Sequence, residues 1–171
     1  MRQLLLSLLL STVLLVAPVQ ALDTSTGVGL QERALFQDSV DYTLTNQSDG
    51  DFHNQNLANT SFAGAVGRNA DFHGANLHGA ILTQGAFADA NFRDADLSDA
   101  LMDRADFVGT DLRNAVLTGI IASGSSFRDA RIEGADFSDA LLDREDQRRL
   151  CRDADGINSS TGVATRDSLG C

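Results

Sequence analysis

A register of five residues runs through the middle of this 171-residue chain without slipping. Every fifth position from 52 to 142 holds Phe52, Leu57, Phe62, Gly67, Phe72, Leu77, Leu82, Phe87, Phe92 and Leu97. It continues with Met102, Phe107, Leu112, Leu117, Ala122, Phe127, Ile132, Phe137 and Leu142. Seventeen of these 19 residues are large and apolar, and eight of the nine Phe in the chain fall among them. Two residues earlier, 12 of 19 positions are Ala, and the remaining three columns are mostly Asp, Asn, Ser, Gly, Arg and Thr. An α-helix repeats near 3.6 residues and a strand at 2, so neither accounts for a period of five. A short unit that cannot bury its own apolar residue must stack on copies of itself.

Ala75-Asn76-Leu77, Ala95-Asp96-Leu97, Ala105-Asp106-Phe107 and Ala135-Asp136-Phe137 follow the pattern A-[DN]-[LF]-x-x. In this the chain resembles the pentapeptide-repeat family over roughly residues 50–142. The resemblance implies an all-β solenoid, a right-handed quadrilateral β-helix with four pentapeptides per coil. Nearly five coils at the usual ~4.8 Å strand spacing make a prism roughly 24 Å long. Large residues fill the square interior, small ones sit at its corners, and residues 20 apart stack. The core ladder then contains Phe52, Phe72 and Phe92 in one column, Leu77 and Leu97 in the next, and Phe87, Phe107 and Phe127 in the fourth. Ala122 is small, but Ile120 at its corner is large, which conserves volume. Gly67 has only Ala65 beside it, so a loosely packed corner is expected there.

Four segments follow. Residues 1–21 read as a signal peptide: Arg2, an apolar run from Leu4 to Val16, and Val19-Gln20-Ala21 with small residues at −3 and −1. The run is too short for a bilayer-spanning helix, so no stable membrane insertion is expected after cleavage. Residues 22–49 read as an N-terminal cap segment, in which Leu30, Ala34, Phe36 and Val40 belong to a helix or strand closing that end. Residues 50–142 are the β-helix. Residues 143–171 are a short α-helical cap over 143–152, with acids first and Arg last as its dipole prefers, and a tail. Leu150 should rest on the last coil. In an exported chain the only two cysteines, Cys151 and Cys171, most simply pair with each other. They read as a structural staple, with a redox-regulated one as the alternative. The tail sequence from Thr161 to Cys171 is similar to those of exported pentapeptide-repeat proteins of cyanobacteria and plants, which implies a thylakoid lumen or periplasm.

The formal charge of −11, with Arg as every basic residue, gives no basic footprint for nucleic acid. No nucleophile, phosphate-loop or metalloprotease motif occurs, so the chain reads as a non-enzyme without cofactor. His53 and His73 fall in one outward column and His78 on the next face, too few ligands for a transition-metal site and followed by Arg93 and Arg113. Outward ladders of Asp51, Asp71, Asn91 and Asp111, and of Asn56, Asn76, Asp96 and Asp136, could bind cations weakly or raise one another's pKa. The plainer reading is that each side chain bonds its own turn. Asp153 to Asn158 is similar to part of a calcium loop but lacks its terminal acidic ligand, and reads as a turn.

One column departs from the rest. On the third face the position before the central residue is Ser61, Ile81, Leu101, Ile121 and Leu141, where other faces carry mostly Asp, Asn or Ser. Stacked Ile81, Leu101, Ile121 and Leu141 form an outward apolar stripe, which marks either a contact surface or a bed for a terminal segment of the chain. The first function is therefore an exported scaffold that binds a protein partner or itself through this face. Some pentapeptide proteins mimic DNA and bind type II topoisomerases, and the acidic prism suits that alternative, although an exported protein would not meet a cytoplasmic enzyme. Weak ion binding by the His or Asp ladders is a third.

Overall fold

The computed structural model describes residues 40–171. Residues 1–21, read as a signal peptide, and the Leu30, Ala34 and Phe36 part of the segment read as an N-terminal cap lie outside the described residues. From Asp41 onward every fifth residue pairs in parallel with the residue 20 ahead, from Asp41–Ser61 through to Ile121–Leu141. Each coil is therefore 20 residues with four sides. The pairing contacts are single residues separated by turns, not continuous strands. They begin inside the segment read as a cap: residues 41–49 already form coil, with Tyr42 stacked on Phe62 at 4.7 Å.

One pentapeptide shows why the sequence pattern gives this shape. The Phe72 N–H donates to Asn91 O at 2.7 Å and Gly74 N–H to Arg93 O at 2.9 Å, both on the next coil. Asn76 N–H reaches Gln55 O on the previous coil at 2.9 Å, and Ala75 N–H closes the corner onto Phe72 O at 3.0 Å. The fifth donor, His73 N–H, is met by the side chain of Asp71 at 2.9 Å. The same bond recurs from His78 to Asn76, Ser98 to Asp96, Val108 to Asp106 and Ser138 to Asp136. Asp or Asn at this position thus satisfies a backbone donor, although Val66, Ala86, Val116 and Arg131 stand there without doing so. Each turn also holds one residue at φ near +60°, a conformation that favours Gly, Asn and Asp.

The interior is filled as the columns predict. Phe52, Phe72 and Phe92 stack at 4.8 and 4.7 Å, and Phe87, Phe107 and Phe127 at 5.5 and 5.4 Å. Leu77 and Leu97 are fully buried, and so are Ile120 and Ala122. The expected loose corner at Gly67 is not found. The Phe87 ring of the next coil occupies that space, so closely that a Cβ on Gly67 would lie 2.7 Å from Cδ1. The missing volume is supplied across coils instead of along the chain.

At the far end α1 (Arg144–Asp153) places Leu150 in the core. A short α2 (Thr165–Ser168) follows. Cys151 and Cys171 are disulfide-bonded, with Cα atoms 5.6 Å apart. The tail stands in for a further coil: Gly134 N–H donates to Asp155 O at 2.8 Å, and Phe137 N–H to Ser168 Oγ at 3.0 Å. Among the described residues no helix is long and apolar enough to cross a membrane.

Candidate functional site

The backbone pairs Ile81 with Leu101, Leu101 with Ile121, and Ile121 with Leu141, so the four apolar residues are consecutive rungs of one face. Ile81 is half-buried, while Leu101, Ile121 and Leu141 are 37%, 39% and 56% exposed. The C-terminal tail does not lie over them. It docks at the corner between the first and second faces, where the buried Asn158 Nδ2 lies 3.2, 3.2 and 2.9 Å from Asn114 O, Ala115 O and Gly134 O. Asp136 is buried on that side.

Ile or Leu on these rungs cannot supply the side-chain acceptor that satisfies the next-but-one N–H elsewhere. Thr83, Asp103, Ser123 and Asp143 N–H groups therefore lose a bond that a typical rung keeps, each worth about 0.5–1.5 kcal/mol when formed. The same face breaks the second rule as well. Leu44, Gln84 and Arg104 have φ of 59°, 59° and 55°, while every other residue at this turn position is Asn, Asp or Gly. A left-handed residue without a suitable side chain costs about 1–2 kcal/mol. All three exceptions belong to the third face. The stripe was legible as a column of the sequence; this second departure was not drawn from it, although the turn column carries the signal.

The other candidate groups are tied into their own coils. His53 Nδ1 lies 2.6 Å from Asp51 Oδ1, His73 Nδ1 2.9 Å from Arg93 O, and His78 Nδ1 2.9 Å from Ser98 Oγ. Among the described residues no three His, Cys, Asp or Glu side chains come together to hold a metal ion. Within the ladders Asn91 Nδ2 donates to Asp71 Oδ1 at 2.9 Å, and Asn76 Nδ2 to Asn56 Oδ1 at 3.0 Å. Burial pushes the Asp111 carboxyl up, but hydrogen bonds and charge from Arg113, with Arg131 beside them, outweigh it and leave it below the usual range. Burial acts likewise on Asp136, and bonds from Ser138 and Thr161 again hold it low. The segment from Asp153 to Asn158 serves as a docking turn, with Asn158 Oδ1 accepting from Ser160 and Thr161 N–H at 2.9 Å each.

The exposed Asp51–His53 pair has a checkable consequence. The hydrogen bond from His53 lowers the Asp51 pKa, and its acceptance by Asp51 raises that of His53. The His53 contribution holds at low pH and disappears as pH rises through its raised value, while that of Asp51 disappears on acidification. Followed by NMR, His53 should titrate above the ordinary histidine value, and Asp51→Asn should bring it back down. A titration unchanged by Asp51→Asn would show that the bond does not persist in solution.

Comparison with known proteins agrees with this geometry. The model of the family described as pentapeptide repeats matches eight copies, over residues 51–84, 86–119 and 108–144. The chain is 37% identical to a pentapeptide repeat protein of the Arabidopsis thaliana thylakoid lumen, over 76% of this chain and 90% of that one, with a TM-score of 0.75. It is 24% identical to a pentapeptide repeat protein, Rfr23, of the cyanobacterium Cyanothece, over 61% and 65% of the two chains with a TM-score of 0.39. No curated protein matches the chain.

Proposed function

This chain belongs to the pentapeptide-repeat family, and from that membership we propose that it is a non-catalytic, exported scaffold whose third face binds a protein surface. The observation that carries the reading is the coincidence of two departures on one face. Ile81, Leu101, Ile121 and Leu141 replace the turn-bonding residue, and Leu44, Gln84 and Arg104 replace the usual left-handed one. Each departure gives up folding energy. Val66, Ala86, Val116 and Arg131 lack the acceptor on other faces, but only the third face lacks it on four consecutive rungs and also departs at the left-handed position. Local rules are broken together where a surface serves something other than folding. Burying the rungs in a contact at ~25 cal/mol per Å² of apolar area would recover that loss. Export is supported by the signal-like residues 1–21, the disulfide, and the likeness to a lumen protein.

The test is crosslinking capture from the native exported fraction with wild type and Leu101→Asp. Leu101 is exposed, so the substitution should leave the unfolding free energy within about 1 kcal/mol of wild type. Capture should fall about tenfold or more, because an uncompensated carboxylate would sit in the contact. Equal capture by both proteins would remove the face from the reading.

A further inference from the structure

We propose that the surface received by the third face is the third face of a second copy of this chain, paired antiparallel about a two-fold axis between the Leu101 and Ile121 rungs. The inference rests on the reading of that face as a contact surface and names its occupant. Copies carrying a formal charge of −11 repel one another, so they can meet only where charge is locally balanced. The second face offers Asp96, Asp99, Asp136 and Asp139 and no Arg. On the third face the rows from Ile81 to Gly124 carry a single Asp103 beside a single Arg104. In the next row Asp143 is turned onto Gly124 N–H of its own chain at 2.8 Å.

The row order is also self-complementary. A two-fold axis lying across the face sets the Leu101 row against the Ile121 row of the second copy, and the Ile81 row against the Leu141 row. All four apolar rungs are then covered at once. Asp103 and Arg104 meet Ser123 and Gly124, and Asp143 meets Thr83, so no charge faces its like. An axis through a single charged row would instead oppose Asp103 to Asp103. An isologous contact requires such matching of a patch to itself. The face is about five rows at ~4.8 Å, or roughly 24 Å long, so the contact falls below the ~1,200 Å² of a standard interface. The dimer should be weak and concentration-dependent, with a Kd of roughly high-micromolar order.

Sedimentation equilibrium of the exported, disulfide-bonded protein from about 1 μM to about 1 mM brackets that range. Wild type should shift from monomer to dimer, and Leu101→Asp should raise the Kd about tenfold or more. Ser123 is the sharper probe, because it lies opposite Asp103 and only its backbone, which accepts from Arg104 N–H at 3.0 Å, bonds within the fold. Ser123→Arg should tighten the dimer by a few-fold at low salt, and Ser123→Asp should weaken it by a similar factor. A dimer indifferent to Leu101→Asp, or one that moves the same way with both Ser123 variants, would overturn the inference. A wild type that stays monomeric throughout would overturn it too. If Leu101→Asp then still abolished capture of a different protein, the contact-surface reading would survive alone; if capture were also unchanged, both would fall.

Discussion

Phe92→Ala should lower the free energy of unfolding by about 3–5 kcal/mol, among the largest single-residue effects expected in the coils. The Phe92 ring is fully buried, lies flat on Phe72 at 4.7 Å, and meets Phe87 and Phe107 edge-on at 5.9 and 5.8 Å. Truncation removes the transfer energy of the ring and three aromatic pairs of ~0.5–1.5 kcal/mol each. The cavity left behind cannot collapse easily. Its walls are coils held at fixed spacing by bonds such as Phe72 N–H to Asn91 O at 2.7 Å and Phe92 N–H to Asp111 O at 2.8 Å. Contacts in a solenoid run only to neighbouring coils, and Phe92 lies in a central one, so its loss divides the stack instead of fraying an end. Chemical denaturation of wild type and Phe92→Ala measures the difference. A loss under about 1 kcal/mol would mean that the aromatic columns are filler and that the backbone ladder alone holds the prism.

The interior of this fold was legible because a five-residue period leaves each side chain one place to go. Phe72 and Phe92 had to stack once residues 20 apart were on one side. What the sequence hid was whatever depends on neighbours far along the chain. Gly67 read as a void because its volume was weighed against Ala65, whereas the Phe87 ring fills it from the next coil. Before residue 50 the apolar period lapses, with Gln47 at a central position. Its backbone N–H nonetheless bonds Val66 O at 2.6 Å, as any coil residue does. Asn158 gave no signal at all, since its three carbonyl partners lie 24 to 44 residues earlier.

The third face shows the converse. Its departures are visible in sequence only after the structural role of each column is known. The Asp or Asn before the central residue looks like a surface preference until His73 N–H is seen to need Asp71. Only then does Leu101 become a lost hydrogen bond as well as an exposed apolar residue. Gln84 and Arg104 look like ordinary polar residues until their φ of 59° and 55° places them where Gly, Asn or Asp otherwise stand. On the other faces a rung without an acceptor stands singly or in a pair, at Val66 and Ala86, Val116 and Arg131, whereas here four follow one another and the left-handed exceptions fall on the same face.

Replacing both Cys151 and Cys171 with Ser should lower stability by about 3 kcal/mol, and the damage should appear first in the last coil. The bridge closes a loop with a sequence separation of 20, for which restricted freedom of the unfolded chain gives a contribution of that size. The native side of the balance tells where the loss is felt. The tail supplies Asp155 O to Gly134 N–H and Ser168 Oγ to Phe137 N–H, donors that the next coil would otherwise satisfy. Asn158, 1% exposed, ties the same tail to the corner of the fourth and fifth coils. Without the bridge the tail should still dock, because Asn158, Ala154 and Leu169 remain buried against the core. It should open more often, however, and amide exchange at Gly134 and Phe137 should quicken more than at Phe72 or Leu77. Asn158→Ala in the bridged protein should cost about 1–3 kcal/mol by removing the donor to Asn114 O and Gly134 O, while Ala115 O keeps its bond from Asp136 N–H. Combined with the Cys replacements it should cost less than the sum, since both act through one docked segment. Exchange that quickens equally in every coil would show that the bridge acts on the whole prism and not through the tail that closes its end.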